Sequence, residues 1–219
     1  MNGKIICPIQ ISETVSRKVY RKNPKSEKTT ILGESSKGVA NLVETAGSIL
    51  DASMKDIFTD VDIYEDQVRL LQYPFTSPIG RDAINFYRFY IVDTCYIEKD
   101  QCIELTFVPN NQQDFGFRGS IWVLNDSSLH VRKVSLTIPK KSDVNFVDNM
   151  KIEQEYVKLP DGQWVLDTDN MLVELRLTRM VKDAVVIRST KLSEYKFGEI
   201  HKSNFRGTAK LVRDADARN

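Results

Sequence analysis

The hydrophobic pattern of this chain changes period once. Between residues 36 and 59, Val39, Leu42, Val43, Ala46, Leu50, Met54, Ile57 and Phe58 recur at helical spacing, within about 100° of Val39 on a wheel. Asn41, Glu44, Ser48 and Lys55 fill the opposite side, and Ser35 or Ser36 suits an N-cap. The spacing predicts one long amphipathic helix. Gly38 and Gly47 each cost it about 1 kcal/mol relative to alanine, so it needs a surface to pack on. A short helix is predicted at Thr76-Ser77-Pro78-Ile79, with Ser77 as N-cap and Pro78 at the first helical position. Val61 to Leu71 reads equally as strand and turn or as an irregular connector.

From Phe86 onward the period is 2. Strands are predicted near 86–97, 101–109, 117–125, 128–138, 149–159, 163–168, 170–182 and 184–197. The turn signals between them are Glu98-Lys99, Asn125-Asp126-Ser127-Ser128, Pro160-Asp161-Gly162 and Lys182-Asp183. The alternation in Ile103–Phe107 and Val173–Thr178 predicts an antiparallel sheet with one solvated face. Strand 86–97 differs. It sets Tyr87, Phe89 and Ile91 on one face and Phe86, Tyr90, Val92 and Tyr96 on the other, which predicts a strand covered on both sides or lining a cavity. Tyr87, Phe89, Tyr90 and Trp122 are therefore the candidate ligand-contacting side chains. The flanks are polar. Residues 1–33 form an extended segment, broken at Asn23-Pro24-Lys25-Ser26, in which Val15 to Tyr20 is an edge-strand candidate. A single domain is expected over 34–200, and a polar tail or linker over 201–219.

Composition adds bounds. A hydrophobic share of 41% is enough for a core, and 31 basic against 30 acidic residues leave a net charge of +1, which gives no field for nucleic acid. No run approaches the roughly 20 apolar residues of a membrane helix. Ile5-Ile6, followed by Pro8, is too short for the core of a secretory leader. Three cysteines, Cys7, Cys95 and Cys102, are no disulfide framework. The two-residue turn at Glu98-Lys99 places Cys95 opposite Cys102, as two reduced thiols or as a cross-strand disulfide.

Chemistry is sparse. The two histidines, His130 and His201, are far apart, one mid-strand and one in the tail. Nucleophile-elbow, P-loop and dinucleotide-binding patterns are missing. Asp167-Thr168-Asp169-Asn170 begins like a calcium loop but lacks the glycine and the distal glutamate, and it falls where two strands are expected to turn. Asn125-Asp126-Ser127 is both a glycosylation sequon and good hairpin material. Glu153 and Glu155 share a strand face about 7 Å apart, but they alternate with Ile152, Gln154 and Tyr156, as a solvated face does. No catalytic residue, metal or cofactor is expected.

A series of motifs points further. Pro8-Ile9 with Ser12-Glu13-Thr14, Asp62-Ile63-Tyr64, Ser77-Pro78-Ile79, and Phe86-Tyr87-Arg88-Phe89-Tyr90 with Asp93-Thr94 come first. Phe107-Val108-Pro109, Phe117-Arg118-Gly119-Ser120-Ile121-Trp122, Asn145-Phe146-Val147 and Ile152-Glu153-Gln154-Glu155-Tyr156 follow. In this order the chain, from about 8 to 200, resembles the central periplasmic region of a large family of Bacteroidota outer-membrane proteins of unknown function. Members often carry a carboxypeptidase-regulatory-like domain first and a C-terminal membrane β-barrel last. The resemblance implies an α+β fold similar to the lipoprotein carrier LolA. That fold is a curved antiparallel sheet of about 8–10 strands, an open half-barrel wrapped over one long and one short helix. It implies an envelope location, with this chain a domain of a larger exported protein, and it offers no catalytic residues. The function expected is a non-enzymatic periplasmic binding or scaffold domain, holding a hydrophobic ligand or lipidated segment in the concave sheet. The alternatives are a protein-interaction module with a filled core and a hydrolase. The expected partner is an envelope protein or a hydrophobic ligand, not nucleic acid.

Overall fold

The computed structural model describes residues 10–38, 59–70, 73–111, 113–138, 147–175 and 184–206. The chain divides into two compact units, Met1–Gly47 with Lys196–Asn219, and Ser48–Tyr195.

In the first unit, β1 (Gln10–Arg21) and β2 (Ser26–Gly38) form an antiparallel ribbon that turns at Lys22-Asn23-Pro24-Lys25, with one bulge between Val15 and Ser16. A two-stranded ribbon has little stability of its own in water. Its turn end is tied to residues near the other end of the chain. The Arg21 guanidinium lies 5.0 Å above the Phe205 ring and donates through Nη1 to the Ile200 carbonyl at 3.3 Å. Lys28 Nζ donates to the Arg206 carbonyl at 2.6 Å, and Lys202–Phe205 forms one 3-10 turn.

In the second unit the described residues start with an irregular connector, 59–66, followed by a small ribbon, β3 (Gln67–Leu70) and β4 (Tyr73–Thr76), and a single α-helical turn, Ala83–Phe86. Seven strands follow: β5 (Tyr87–Ile97), β6 (Asp100–Pro109), β7 (Arg118–Leu124), β8 (Val131–Ile138), β9 (Val147–Lys158), β10 (Trp164–Leu175) and β11 (Ala184–Lys191). They make one antiparallel sheet in which every strand pairs with its sequence neighbours, leaving β5 and β11 as edges among the described residues. Alternate residues, among them Phe107, Ile121, Val134, Leu136, Met150, Ile152, Met171 and Val173, are buried together. Val61, Ile63, Val68, Leu70 and Phe75 from the connector and β3–β4 ribbon join that cluster. Phe75 stacks on Phe117 at 4.7 Å and meets Phe115 at 4.6 Å; Tyr87 meets Phe107 edge-on at 5.2 Å.

Several expectations are corrected. The α+β class, with a sheet wrapped over one long and one short helix, gives way among the described residues to a nearly all-sheet structure whose one α-helix is the single turn Ala83–Phe86. Residues 39–58 of the expected long helix lie outside the described residues, and its leading Ser36–Gly38 belong to β2, paired with Gln10–Ser12. The short helix expected at Ser77-Pro78-Ile79 is a turn. Ser77 is fully buried and donates its hydroxyl to the Ile63 carbonyl, so it ties two loops together and the helical turn starts four residues after Ile79. The strands expected at 163–168 and 170–182 are one strand, β10, because a bulge between Leu166 and Thr168 absorbs the break in alternation. Among the described residues strand 86–97 is an edge, and it is not covered on both sides, since Tyr90, Ile91, Val92 and Tyr96 are exposed. His130 precedes β8 instead of lying within it. The Glu98-Lys99, Asn125–Ser128 and Pro160–Gly162 turns are where the pattern places them, and Lys182-Asp183 lies outside the described residues.

Candidate functional site

Two polar constellations stand on the sheet. The first is buried. On β9 and β10 the core-facing alternation brings Gln154 and Asp169 among Ile152, Met171 and Val173. Asp169 Oδ2 pairs with Arg188 Nη2 at 2.6 Å, and Oδ1 accepts from Gln154 Nε2 at 3.2 Å. Gln154 Nε2 also donates to the Val61 carbonyl at 2.7 Å, and its Oε1 accepts the Tyr156 hydroxyl at 3.0 Å. Arg188 Nη1 reaches the Thr59 carbonyl at 3.3 Å. The Tyr156 ring meets Tyr64 edge-on at 5.8 Å. These bonds pin residues 59–64 onto the sheet. Burial raises the Asp169 carboxyl above its ordinary range against the opposing pull of Arg188. Burial also pushes the Tyr156 phenol up, reinforced by the charges of Tyr64, Asp62 and Asp169.

The second constellation lies at the turn end of the sheet. A cleft of about 680 Å³ is lined by Glu98, Asp100, Arg132, Lys158, Asp161 and Trp164, among others. Its hub is Arg132, the residue skipped where Trp122 pairs with Lys133 and Val123 with Val131. The side chain is only 2% exposed. Nε pairs with Asp100 at 3.1 Å, Nη2 with Glu98 at 3.0 Å, and Nη1 donates to the Tyr156 carbonyl at 2.9 Å. Trp164 stacks obliquely on His130 at 5.5 Å. The cleft lining balances acids (Glu98, Asp100, Asp161) against bases (Lys99, Arg132, Lys158), so it carries no net field for an ion.

The four candidate ligand residues are split between the two faces of the sheet. Tyr87 is 2% exposed on the core face; its hydroxyl donates to the Thr76 carbonyl at 2.6 Å and accepts the Phe117 N–H at 3.2 Å. Burial pushes that phenol up. Phe89 packs beside Phe107 at 6.0 Å. Tyr90 and Trp122 lie on the opposite face, opposite Thr106 and Glu104, with Lys133 Nζ 5.9 Å from the Trp122 ring centre. Cys95 and Cys102 are direct cross-strand partners, and both are free thiols. Glu153 and Glu155 point to the solvated face in ion pairs with Lys151 and Lys133, each at 3.0 Å. Asp167 pairs with Lys191 at 2.6 Å. Arg132, Gln154 and Arg188 were not singled out from the sequence, and Asp169 entered it only within the calcium-like run Asp167–Asn170. The signal for three of them is a break in pattern: Arg132 beside Lys133 interrupts an alternating strand, and Gln154 and Asp169 occupy apolar-parity positions.

Among the described residues no helix is long and apolar enough to cross a membrane, which leaves strand-built barrels aside. A family model described as a family of unknown function (DUF5686) matches residues 8–191. No curated protein and no solved structure matches the chain.

Proposed function

The chain belongs to the family of unknown function DUF5686, and on that premise we propose that it is a non-enzymatic scaffold domain whose own core fills the sheet. The observation that carries this reading is the closure of the core face by residues 59–70 and 73–86. Ile63, Phe75, Phe107 and Phe117 are fully buried there. The buried polar groups act as braces: Gln154 and Arg188 hold backbone carbonyls of the connector, and Tyr87 ties β5 to Thr76 and Phe117. A catalytic acid or base needs a path to substrate as well as a shifted pKa. Asp169 has the shift, but its oxygens are committed to Arg188 and Gln154.

The setting belongs to the same proposal. The motif series supports a periplasmic segment of a bacterial outer-membrane protein, placed between a carboxypeptidase-regulatory-like domain and a membrane β-barrel. The variant in which the sheet holds an acyl chain needs Tyr87 and Phe89 to be reachable. Tyr87 is buried and tied by its hydroxyl, which favours the filled-core variant. Native mass spectrometry of the purified chain, with displacement of a fluorescent fatty acid at micromolar protein, decides between them. No bound lipid and no displacement is the expected result; a co-purified acyl lipid overturns the filled core.

A further inference from the structure

β5 is an edge of the seven-stranded sheet and is exposed along its middle, with Tyr90 at 51%, Ile91 at 77% and Val92 at 57%. Among the described residues, no strand pairs with its outer side. Such an edge offers unpaired N–H and C=O groups to another chain, and proteins ordinarily blunt it with charges or a bulge. β5 has both, in a self-complementary arrangement. Its register with β6 runs Arg88–Val108, Phe89–Phe107, Tyr90–Thr106, Ile91–Leu105 and then Asp93–Glu104, so Val92 is the extra residue of a bulge. The bulge shifts the alternation by one. Arg88, Tyr90 and Asp93 therefore share the solvated face, and Phe89 and Ile91 share the other.

We propose that the outer edge of β5 pairs antiparallel with β5 of a second copy, about a two-fold axis at Tyr90. That register sets Tyr90 against Tyr90, Phe89 against Ile91 and Arg88 against Asp93, the last two pairs occurring twice by symmetry. Ion pairs bracket an apolar centre, which is the favourable order of cross-strand neighbours. Without the bulge, Arg88 and Asp93 have opposite parity and no antiparallel two-fold register brings them together. Asp93 Oδ1 accepts the Thr94 N–H at 2.7 Å, which holds the carboxylate at the edge. The dimer goes beyond the scaffold reading and does not depend on it.

Sedimentation velocity of the full chain, in a series reaching about 200 µM, tests the pairing. The expected species is a dimer. Arg88→Asp alone, or Asp93→Arg alone, sets like charges across the axis and raises the dimer dissociation constant at least about tenfold. The double reversal restores it to within about threefold of the original. Tyr90→Lys, which meets its own charge at the axis, weakens the dimer as the single reversals do, and circular dichroism melts check that each variant folds. A monomeric wild type, or a double reversal no tighter than the single ones, overturns the proposal. Either outcome leaves the lipid experiment, and the filled core it tests, unaffected.

Discussion

Asp169 is a carboxylate set into a sheet face made of Met171, Val173 and Ile152, held there by Arg188 and Gln154. Burial outweighs the arginine and raises its pKa, so the folded state binds a proton more readily than the unfolded chain. The contribution to stability is therefore complete below the ordinary carboxyl value near 4 and is lost as pH rises through the raised folded value. Urea midpoints measured from about pH 4 to 7 are expected to carry this falling component in the wild type and to lack it in Asp169→Asn. Identical pH profiles for the two proteins would show that the carboxyl is not shifted. Asp169 shares the parity of Met171 and Val173, but the expectation that two strands turn at this residue hid a buried charge that needs a partner. The identity of the partner was not legible. Arg188 lies across a strand pair whose connecting turn falls outside the described residues, and alternation does not say which cation faces which acid.

Strand β7 shows why a glycine follows Phe117-Arg118. A Cβ on Gly119 would stand 1.8 Å from the Ser135 carbonyl oxygen, so β7 and β8 approach each other over a bare backbone. Gly119→Ala is expected to cost about 3 kcal/mol, the upper range for overpacking, read as a lowered urea midpoint. An unchanged midpoint would mean that β8 yields without strain. At this scale the period-2 reading located the strands and three of their turns, since alternation and turn residues are local signals. It split β10 at Asp169, two residues past the bulged Asp167, because a bulge and a chain reversal both interrupt alternation and look alike in one dimension. It also expected β5 to be covered on both sides, or to line a cavity, on the strength of two apolar faces. Apolar faces record what a strand can bury, and here the outer one stays exposed. Helical spacing likewise drew Ser36–Gly38 into a helix, although cross-strand partners from Gln10 to Ser12 hold those residues extended.

Across the whole molecule, the first unit is assembled from sequence-distant parts. Arg21 reaches Ile200 and Phe205, and Lys28 reaches Arg206. A polar composition gives no hint of such backbone carbonyl contacts, which is why residues 201–206 read as a tail. Phe205→Ala removes the cation–π contact, worth about 1 kcal/mol at a partly exposed site. Faster amide hydrogen exchange between residues 200 and 206 is the expected outcome, and exchange at wild-type rates would show that the ring is not what holds the segment.

The strict neighbour-to-neighbour order from β5 to β11 has a consequence for how the sheet assembles. Each strand finds its first partner immediately before it in the chain, so every new pairing closes a short loop and the contact order of the sheet is low. A polypeptide emerging amino-terminus first can extend the sheet one hairpin at a time, without waiting for a distant segment. The connector that covers the core face precedes all seven strands, so it is already present when the first apolar side chains of the sheet need shielding from water.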